Sequence, residues 1–311
     1  MKCFFVARGV FIHMSFAFLT AAIALSGCGA SRPADAGKDT ACAVEFTDSF
    51  GRTVRLNERP RRIVSLAPNM TETLFLLGAG GLLVGRTDYC DYPPEAFALP
   101  SVGTITDPNM EHILSLRPDL IVGSTHFQKE TLDALENLGV PVYLGIIYND
   151  YEEIFSMIVT LARIVGRDRE AETLVTGMRA RMAAVTEAVG RALGRPRVYY
   201  MISFGEAGDY TAGRGTFISS LIASAGGINT GDSITGWRYT VEALFHEEPD
   251  IILCGRGFLA KLKGTPPYNR LRAVREGRVY EIDNDLIDRI GPRNIEGMEM
   301  MAKIFHRELF P

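Results

Sequence analysis

Residues 107–123, DPNMEHILSLRPDLIVG, determine the fold prediction, because their pattern returns at residues 238–254 as RYTVEALFHEEPDIILC. Each segment has an acidic residue near the start of a short helical stretch, then a Pro-Asp pair, then an apolar run. Flanking residues match in the same order: Arg62-Ile63-Val64 with Arg197-Val198-Tyr199, Gly80-Gly81 with Gly226-Gly227, and Val142-Tyr143 with Val279-Tyr280. The repetition favours a duplicated unit of about 110 residues over one large domain. Chance similarity between two α/β halves is the alternative.

Within each half, short apolar runs alternate with helical stretches. Residues 62–66 and 120–123 have the β-branched composition of buried strands. Helical stretches are predicted from Pro68 to Gly78, over residues 129–138, and from Asp107 to Leu116, with Asp107 as N-cap and Pro108 at the first helical position. This alternation predicts an α/β fold whose mainly parallel sheets carry helices on both faces. Two Rossmann-like lobes are expected, at residues 44–150 and 194–311.

Residues 151–193, between the two halves, have a long helical pattern. It is interrupted at Gly166-Arg167 and continues from Asp168 to about Leu193 without a proline. The second part alone would extend about 35–40 Å, at about 1.5 Å per residue. A rigid linking helix of this kind permits small twisting of the lobes and limits hinge opening. Small ligands bind in clefts between such lobes, so a ligand cleft is expected there.

The N-terminus has the features of a secretory signal. Lys2 and Arg8 precede an apolar stretch at 9–25, which is shorter than the roughly 20 residues that span a bilayer. Leu25-Ser26-Gly27-Cys28 follows and resembles the bacterial lipobox, in which the cysteine is lipidated. We therefore predict a signal peptide at 1–27, a lipid on Cys28, a flexible tether at 28–43 and an extracytoplasmic protein anchored to a membrane. An ordinary signal peptide with a chance cysteine is the alternative.

Charge and cysteine content argue against several classes of protein. The chain has 33 Lys and Arg against 37 Asp and Glu, a net charge of −4, and removal of Lys2 and Arg8 with the signal makes it −6. No basic block occurs, so no nucleic-acid partner is expected. Cys42, Cys90 and Cys254 remain beyond Cys28, an odd number without CxxC spacing. Neither a disulfide framework nor a zinc site is predicted, and a monomer is expected.

Motifs of catalysis do not appear in the sequence. The chain has no Gly-x-Ser-x-Gly, and its five histidines form no i,i+4 pair that could bind a metal. His246-Glu247-Glu248 begins like a zinc-protease helix, but Asp250 stands where the second histidine should be. We therefore predict a binding protein without catalytic or metal-binding residues and without a cofactor. A lipid-anchored enzyme, such as a hydrolase or chelatase on the same two-lobed fold, and a purely structural surface lipoprotein are the alternatives.

Several segments together resemble the periplasmic-binding-protein family for iron-siderophores, haem and cobalamin. They are RIVSLAPNMTETLFLLGAG, VGRTDYCDYPPEA, VGTITDPNMEHILSLRPDLIVG and VEALFHEEPDIIL, and the resemblance runs from about residue 44 to the C-terminus. Residues 88–94 are most similar to the cobalamin-binding members. The resemblance implies a ligand in the cleft, namely a ferric siderophore, haem or cobalamin. It also implies docking on an ABC permease that has a cytoplasmic ATPase.

The resemblance gives two glutamates a role. In the family, one glutamate on each lobe meets arginines of the permease, and Glu111 and Glu242 match these positions. Two carboxylates on separate lobes would let the permease sense the spacing of the lobes by charge-assisted pairing. The alternative is that each acid only complements the positive N-terminus of its own helix.

The sequence also contains a few candidate ligand contacts. Tyr89 matches a cobalamin-contacting tyrosine of the family, and Trp237 is the only tryptophan of the chain. Flat rings suit a large macrocycle or an aromatic chelator, and Tyr210 and Arg289 complete the predicted contacts. Ile105 and Leu286-Ile287 stand where cobalamin binders carry aromatics. Anionic siderophores or haem propionates could instead pair with three arginines: Arg214, Arg289 and Arg293. Trp237 could also fill a lobe core, and Arg289 could be a surface charge.

Overall fold

The computed structural model describes residues 44–124, 129–137, 139–145 and 150–310. The predicted signal peptide, the tether and Cys28 lie outside these residues. The described chain begins with β1 (Val44–Thr47) and β2 (Thr53–Leu56), which form an antiparallel pair. All other strands belong to two parallel sheets, as the alternating pattern of the sequence predicts.

The first parallel sheet forms the N-terminal lobe together with its helices. Its strands are β3 (Ile63–Ser65), β4 (Leu83–Arg86), β5 (Leu120–Gly123) and β6 (Val142–Leu144), in the spatial order β4-β3-β5-β6. Every residue of β3, β5 and β6 is buried. Burial on both faces explains why these strands appear in the sequence as continuous apolar runs.

The second parallel sheet forms the C-terminal lobe and repeats the first. Its strands are β7 (Arg197–Met201), β8 (Ile228–Asn229), β9 (Ile251–Cys254) and β10 (Val279–Glu281), in the spatial order β8-β7-β9-β10. In both sheets the second strand in sequence lies on one edge, and the first, third and fourth follow in order. The predicted duplication of an α/β lobe is therefore confirmed.

Helices cover both sheets and connect them. Their bounds are α1 (Pro68–Leu76), α2 (Met110–Ser115), α3 (Lys129–Asn137), α4 (Tyr151–Val165), α5 (Asp168–Val189), α6 (Phe217–Ser224), α7 (Val241–Glu247), α8 (Phe258–Gly264), α9 (Arg272–Arg275), α10 (Asp285–Asp288) and α11 (Asn294–Phe305). In the part of the chain that the structure describes, no helix combines the length and apolar character needed to cross a membrane.

The repeat extends to individual capping residues of α2 and α7. The side chain of Asn109 accepts a hydrogen bond from the His112 N–H at 2.9 Å, and Thr240 accepts one from the Ala243 N–H at 3.2 Å. At the other end of each helix a residue has a positive φ, 47° for Arg117 and 40° for Glu248. The two copies of the sequence pattern are 131 residues apart, and the same offset relates the capping residues and the positive-φ residues of these two helices.

The Pro-Asp pair of each repeat fixes the start of the neighbouring strand. The Asp119 carboxylate accepts a hydrogen bond from the Arg62 N–H at 3.0 Å, and Asp250 accepts one from the Arg197 N–H at 2.9 Å. Each of these arginines donates from Nε to the backbone carbonyl of a helix-terminal residue, Leu116 or Glu247. Both aspartates therefore stabilise the start of the neighbouring strand.

Two details of the sequence prediction were wrong. The helix expected to begin at Asp107 begins at Met110, because Asn109 caps it while the Asp107 N–H is bonded to Thr104 Oγ1 at 3.0 Å. The sequence comparison also paired Gly80-Gly81 with Gly226-Gly227, which is two residues out of register. Gly78 and Gly226 are equivalent, since each follows a helix with a positive φ, 67° and 86°. Each donates its N–H to the carbonyl oxygen three residues earlier.

Helices α4 and α5 connect the lobes. Gly166 ends α4 in the left-handed conformation, and α5 has 22 residues, a length of about 33 Å at 1.5 Å per residue. Ion pairs join α5 to α4 through Arg179 and Glu152, and to α11 through Arg181 and Glu299. One continuous apolar core contains residues of both sheets and of α4, α5 and α11. The lobes are thus packed on a common helical support.

Gly177, in the middle of α5, offers a test of this helix. It is exposed, and an added Cβ would meet no atom within 4 Å, so Gly177→Ala is expected to raise the free energy of unfolding by about 0.5–1 kcal/mol. Gly213→Ala is the control, because there the Cβ would lie 2.4 Å from the Gly236 carbonyl oxygen and should destabilise. Urea unfolding of both variants checks the prediction. A destabilised Gly177→Ala would mean that α5 is not a continuous helix.

Candidate binding cleft

Residues that follow the carboxyl ends of strands in the two sheets meet at the lobe boundary. Asn69 lies just beyond the carboxyl end of β3, and its Nδ2 donates to the carbonyl oxygen of Ile290, beyond β10, at 2.9 Å. Gly291 packs so closely here that an added Cβ would lie 3.1 Å from Asn69 Cβ. Ligands of parallel α/β sheets bind outside the carboxyl ends of the strands, so this boundary is the candidate binding site.

Tyr89 lies on the N-terminal side of the boundary, in the turn that follows β4. The turn is closed by a hydrogen bond from the Cys90 N–H to the Thr87 carbonyl oxygen at 3.1 Å, and by a 3.2 Å contact between Thr87 Oγ1 and Cys90 Sγ. Cys90 is fully buried, and burial raises the pKa of its thiol. The buried cysteine anchors the turn, whereas 53% of Tyr89 is exposed.

Tyr210 and Trp237 lie on neighbouring backbone segments beyond the carboxyl end of β7. The Tyr210 N–H donates to the Ser203 carbonyl oxygen at 3.1 Å, and the Thr211 N–H donates to the Trp237 carbonyl oxygen at 2.8 Å. Tyr210 is 36% exposed and Trp237 46% exposed, so Trp237 does not fill the lobe core. The exposed rings of both lobes thus lie beyond the carboxyl ends of strands.

A cavity of about 550 Å³ adjoins this wall of the C-terminal lobe. It lies between residues 203–207, the same loop that pairs with Tyr210, and helix α8. Phe204 and Phe258 line it with ring centroids 5.6 Å apart, and Lys261 adds a cation. Its volume falls within the range of small-molecule pockets, and all the residues that line it belong to the C-terminal lobe.

Arg289 occupies the centre of an ion cluster at the boundary. Its guanidinium contacts Glu72 at 3.2 Å and Asp91 at 2.5 Å, both in the N-terminal lobe, and Asp285 of its own lobe at 3.0 Å. Arg293 also contacts Glu72, at 3.4 Å. Only 14% of the Arg289 side chain is exposed. In this structure its charge is therefore neutralised within the protein, and its predicted contact with a ligand stays a prediction.

The environment shifts the pKa values of this cluster in different directions. Burial raises the pKa of Glu72, although Arg293 and Arg289 oppose the shift. The hydrogen bond from Arg289 lowers the pKa of Asp91, which remains more exposed. Burial disfavours the charged form of Arg289, but its three carboxylate partners outweigh this effect and raise its pKa. Arg289 and Asp91 therefore stay ionised.

Glu111 and Glu242 lie at equivalent points of the two lobes, away from this cluster. Each is the second residue of its helix, α2 or α7, and each is exposed. The duplicated caps described above fix both helix starts, so the two carboxylates are presented in the same way on each lobe. Among the residues that the structure describes, no three His, Cys, Asp or Glu side chains converge to hold a metal ion.

A model of the periplasmic binding protein family matches residues 63–286, which include the strands of both parallel sheets. The chain belongs to this family. The family is one of binding proteins and not of enzymes.

Relatives of this periplasmic binding protein include proteins named for transport and for cobalamin. It is 30% identical over 306 residues to the uncharacterized ABC transporter substrate-binding lipoprotein YvrC of Bacillus subtilis, covering 94% of this chain and 96% of that one. It is also 30% identical to the cobalamin-binding protein of Halobacterium salinarum, covering 87% of this chain and 77% of the relative.

Solved structures share the architecture. The periplasmic heme-binding protein RhuT from Roseiflexus has a TM-score of 0.74 at 28% identity, and the match covers 80% of this chain and 99% of that one. The periplasmic vitamin B12 binding protein BtuF of Vibrio cholerae has a TM-score of 0.70 at 25% identity, covering 81% and 99%. Proteins named for binding different ligands thus share the two-lobed fold.

Reasoning from the sequence missed the N-terminal half of the ion cluster. Asn69 and Glu72 lie three residues apart on one face of α1, and both are buried. The local signal is an amide and a carboxylate in a helix whose other residues are apolar or threonine. Buried acids are uncommon unless they are paired, and this pattern could have indicated a partner elsewhere in the chain.

Proposed function

We propose that this periplasmic binding protein is the solute-binding component of an ABC importer and delivers a metal chelate to a membrane permease. The observation that carries the proposal is the set of exposed rings, Tyr89, Tyr210 and Trp237, beyond the carboxyl ends of strands on both sides of the lobe boundary. Exposed aromatic side chains at such a place are typical of a site for a large, partly apolar ligand. Glu111 and Glu242 supply one docking carboxylate on each lobe.

A corrinoid is the chelate that the described charges favour. Arg289 and Arg293 are already paired with carboxylates, so they offer little free charge to haem propionates or to an anionic siderophore. A corrinoid with amide side chains needs no such charge. The 30% identical relative named as a cobalamin-binding protein supports the same ligand. Arg214 is exposed and offers a positive charge to an anionic chelate, so haem and a siderophore are included in the ligand panel described next.

A ligand panel tests the proposal. Cyanocobalamin, haemin and a ferric hydroxamate are titrated into the purified protein, with the fluorescence of Trp237 as reporter and calorimetry as confirmation. We expect one-to-one binding of one chelate, a higher melting temperature and recovery of unaltered ligand by mass spectrometry. Altered ligand would favour the anchored enzyme. No binding and no thermal shift with any chelate would favour a structural lipoprotein and contradict the proposal.

Lipid attachment at Cys28 is part of the proposed function, because the anchor would keep the protein beside the permease. Two acyl chains attach a protein stably to a bilayer, whereas one chain binds reversibly. Cys28→Ser is expected to remove the lipid and yield unprocessed or soluble protein. Labelling with a radioactive fatty acid measures this directly, and Cys42→Ser is the control that should retain the label. Unchanged label in Cys28→Ser would contradict the anchor.

A further inference from the structure

Glu72 is a buried acid shared by two arginines of the opposite lobe. It is 2% exposed and lies on α1 of the N-terminal lobe, whereas Arg289 and Arg293 belong to the C-terminal lobe. One oxygen, Oε1, accepts from the Nη1 atoms of both guanidiniums, at 3.2 and 3.4 Å. A carboxylate this deeply buried is tolerated only with such partners, so Glu72 requires the C-terminal lobe to stay close.

The same two arginines also hold the loop that carries Tyr89. Arg289 donates from Nη1 to Asp91 at 2.5 Å, and the guanidinium of Arg293 lies 3.7 Å from the ring centroid of Tyr92. Asp91 and Tyr92 directly follow Tyr89 and Cys90. Side chains of the C-terminal lobe thus hold this loop of the N-terminal lobe in addition to the buried Cys90. Asp285 holds Arg289 from its own side at 3.0 Å.

We propose that Glu72, Arg289 and Arg293 form a latch between the lobes that holds the Tyr89 loop against the ligand and frees this loop when the lobes separate. The loop's role at the ligand rests on the proposed function. Hydrogen bonds and ion pairs of this kind are lost when their atoms move apart by one or two ångströms. A small displacement of the lobes by a docked permease would therefore release the Tyr89 loop and weaken one wall of the site, without wide opening of the lobes.

Amide hydrogen exchange of the ligand-free protein tests the latch. Asp91→Asn weakens the ion pair between Arg289 and the loop, and Glu72→Gln weakens the ion pairs that hold both arginines without changing a residue of the loop. Both variants are expected to exchange about tenfold faster at residues 87–93, where the Cys90 and Asp91 amides are bonded within the turn, while β3 and β5 stay protected. Glu299→Gln is the matched control, because it breaks the Arg181 ion pair on α5 and should leave the loop unchanged.

Two results would overturn the latch. One is unchanged exchange at residues 87–93 in both variants. The other is faster exchange that appears equally in β3 and β5, which would show general destabilisation. Faster dissociation of cyanocobalamin from Asp91→Asn, followed by stopped-flow fluorescence of Trp237, would extend the result to the ligand. The exchange measurement needs no ligand, so it decides the latch even if no chelate binds and the proposed function fails.

Discussion

Uptake is expected to be lost when the charges of Glu111 and Glu242 are both reversed, while ligand affinity stays near that of the unchanged protein. In Glu111→Arg with Glu242→Arg, arginines would face the permease arginines, and like charges placed together at an interface cost several kcal/mol. Both residues are exposed and belong to no ion pair of the described residues, so folding stability should change by only about 1 kcal/mol. Each single reversal should lower uptake strongly, and the double reversal more.

The decisive measurement is ligand affinity and reconstituted uptake on the same preparations. Glu58→Arg with Glu172→Arg is the control, because it makes the same change in net charge at exposed positions outside α2 and α7. That control should transport normally. Raising the salt concentration should also weaken docking of the unchanged protein, since exposed charge pairs are screened. Normal uptake with both glutamates reversed would leave them as acids that only complement their helix N-termini.

The duplication made much of the fold predictable. Two segments with the same pattern must form the same unit, and a strand that is buried on both faces appears as an apolar run whatever surrounds it. Local chemistry was therefore sufficient for the central strands β3 and β5 and for the long helix α4, which begins at Tyr151 and ends at Val165 as the sequence predicts. It was insufficient at the start of α2, since Thr104, Asp107 and Asn109 all offer side-chain oxygens there.

The candidate site was predictable only in part, for a different physical reason. Trp237 stands out in the sequence as the only tryptophan, and Tyr89 is predicted from the resemblance of residues 88–94 to the cobalamin-binding members of the family. The pairing of Arg289 with Glu72 joins residues 217 positions apart, and it depends on how the two lobes meet. No pattern within a single segment of the sequence indicates how the two lobes meet. The sequence predicts Arg289 as a ligand contact, which stays a prediction, but it gives no sign that the Arg289 guanidinium joins the two lobes.

Truncation of the exposed rings should have the second large effect, this time on affinity. An aromatic side chain that covers a ligand loses both its apolar contact and its stacking when it becomes alanine, a loss of about 1–2 kcal/mol or roughly 5–30-fold in affinity. We therefore expect Tyr89→Ala and Trp237→Ala each to weaken binding by this factor. The double variant should lose roughly the product of the two factors, because the rings lie on opposite lobes and contact different parts of the ligand.

Calorimetry with the chelate that binds in the ligand panel is the appropriate measurement, because Trp237→Ala removes the only fluorescent tryptophan. Ile228→Ala is the matched control: Ile228 is 46% exposed, as Trp237 is, but it begins β8 and so lies at the amino end of the sheet. Trp237→Phe should recover part of the affinity, since a smaller ring still stacks. Equal affinity in Trp237→Ala and in Ile228→Ala would place the ligand away from this wall of the C-terminal lobe. A loss confined to Trp237→Ala and absent from Tyr89→Ala would place the ligand on one lobe only, and the Tyr89 loop would then have no ligand to hold.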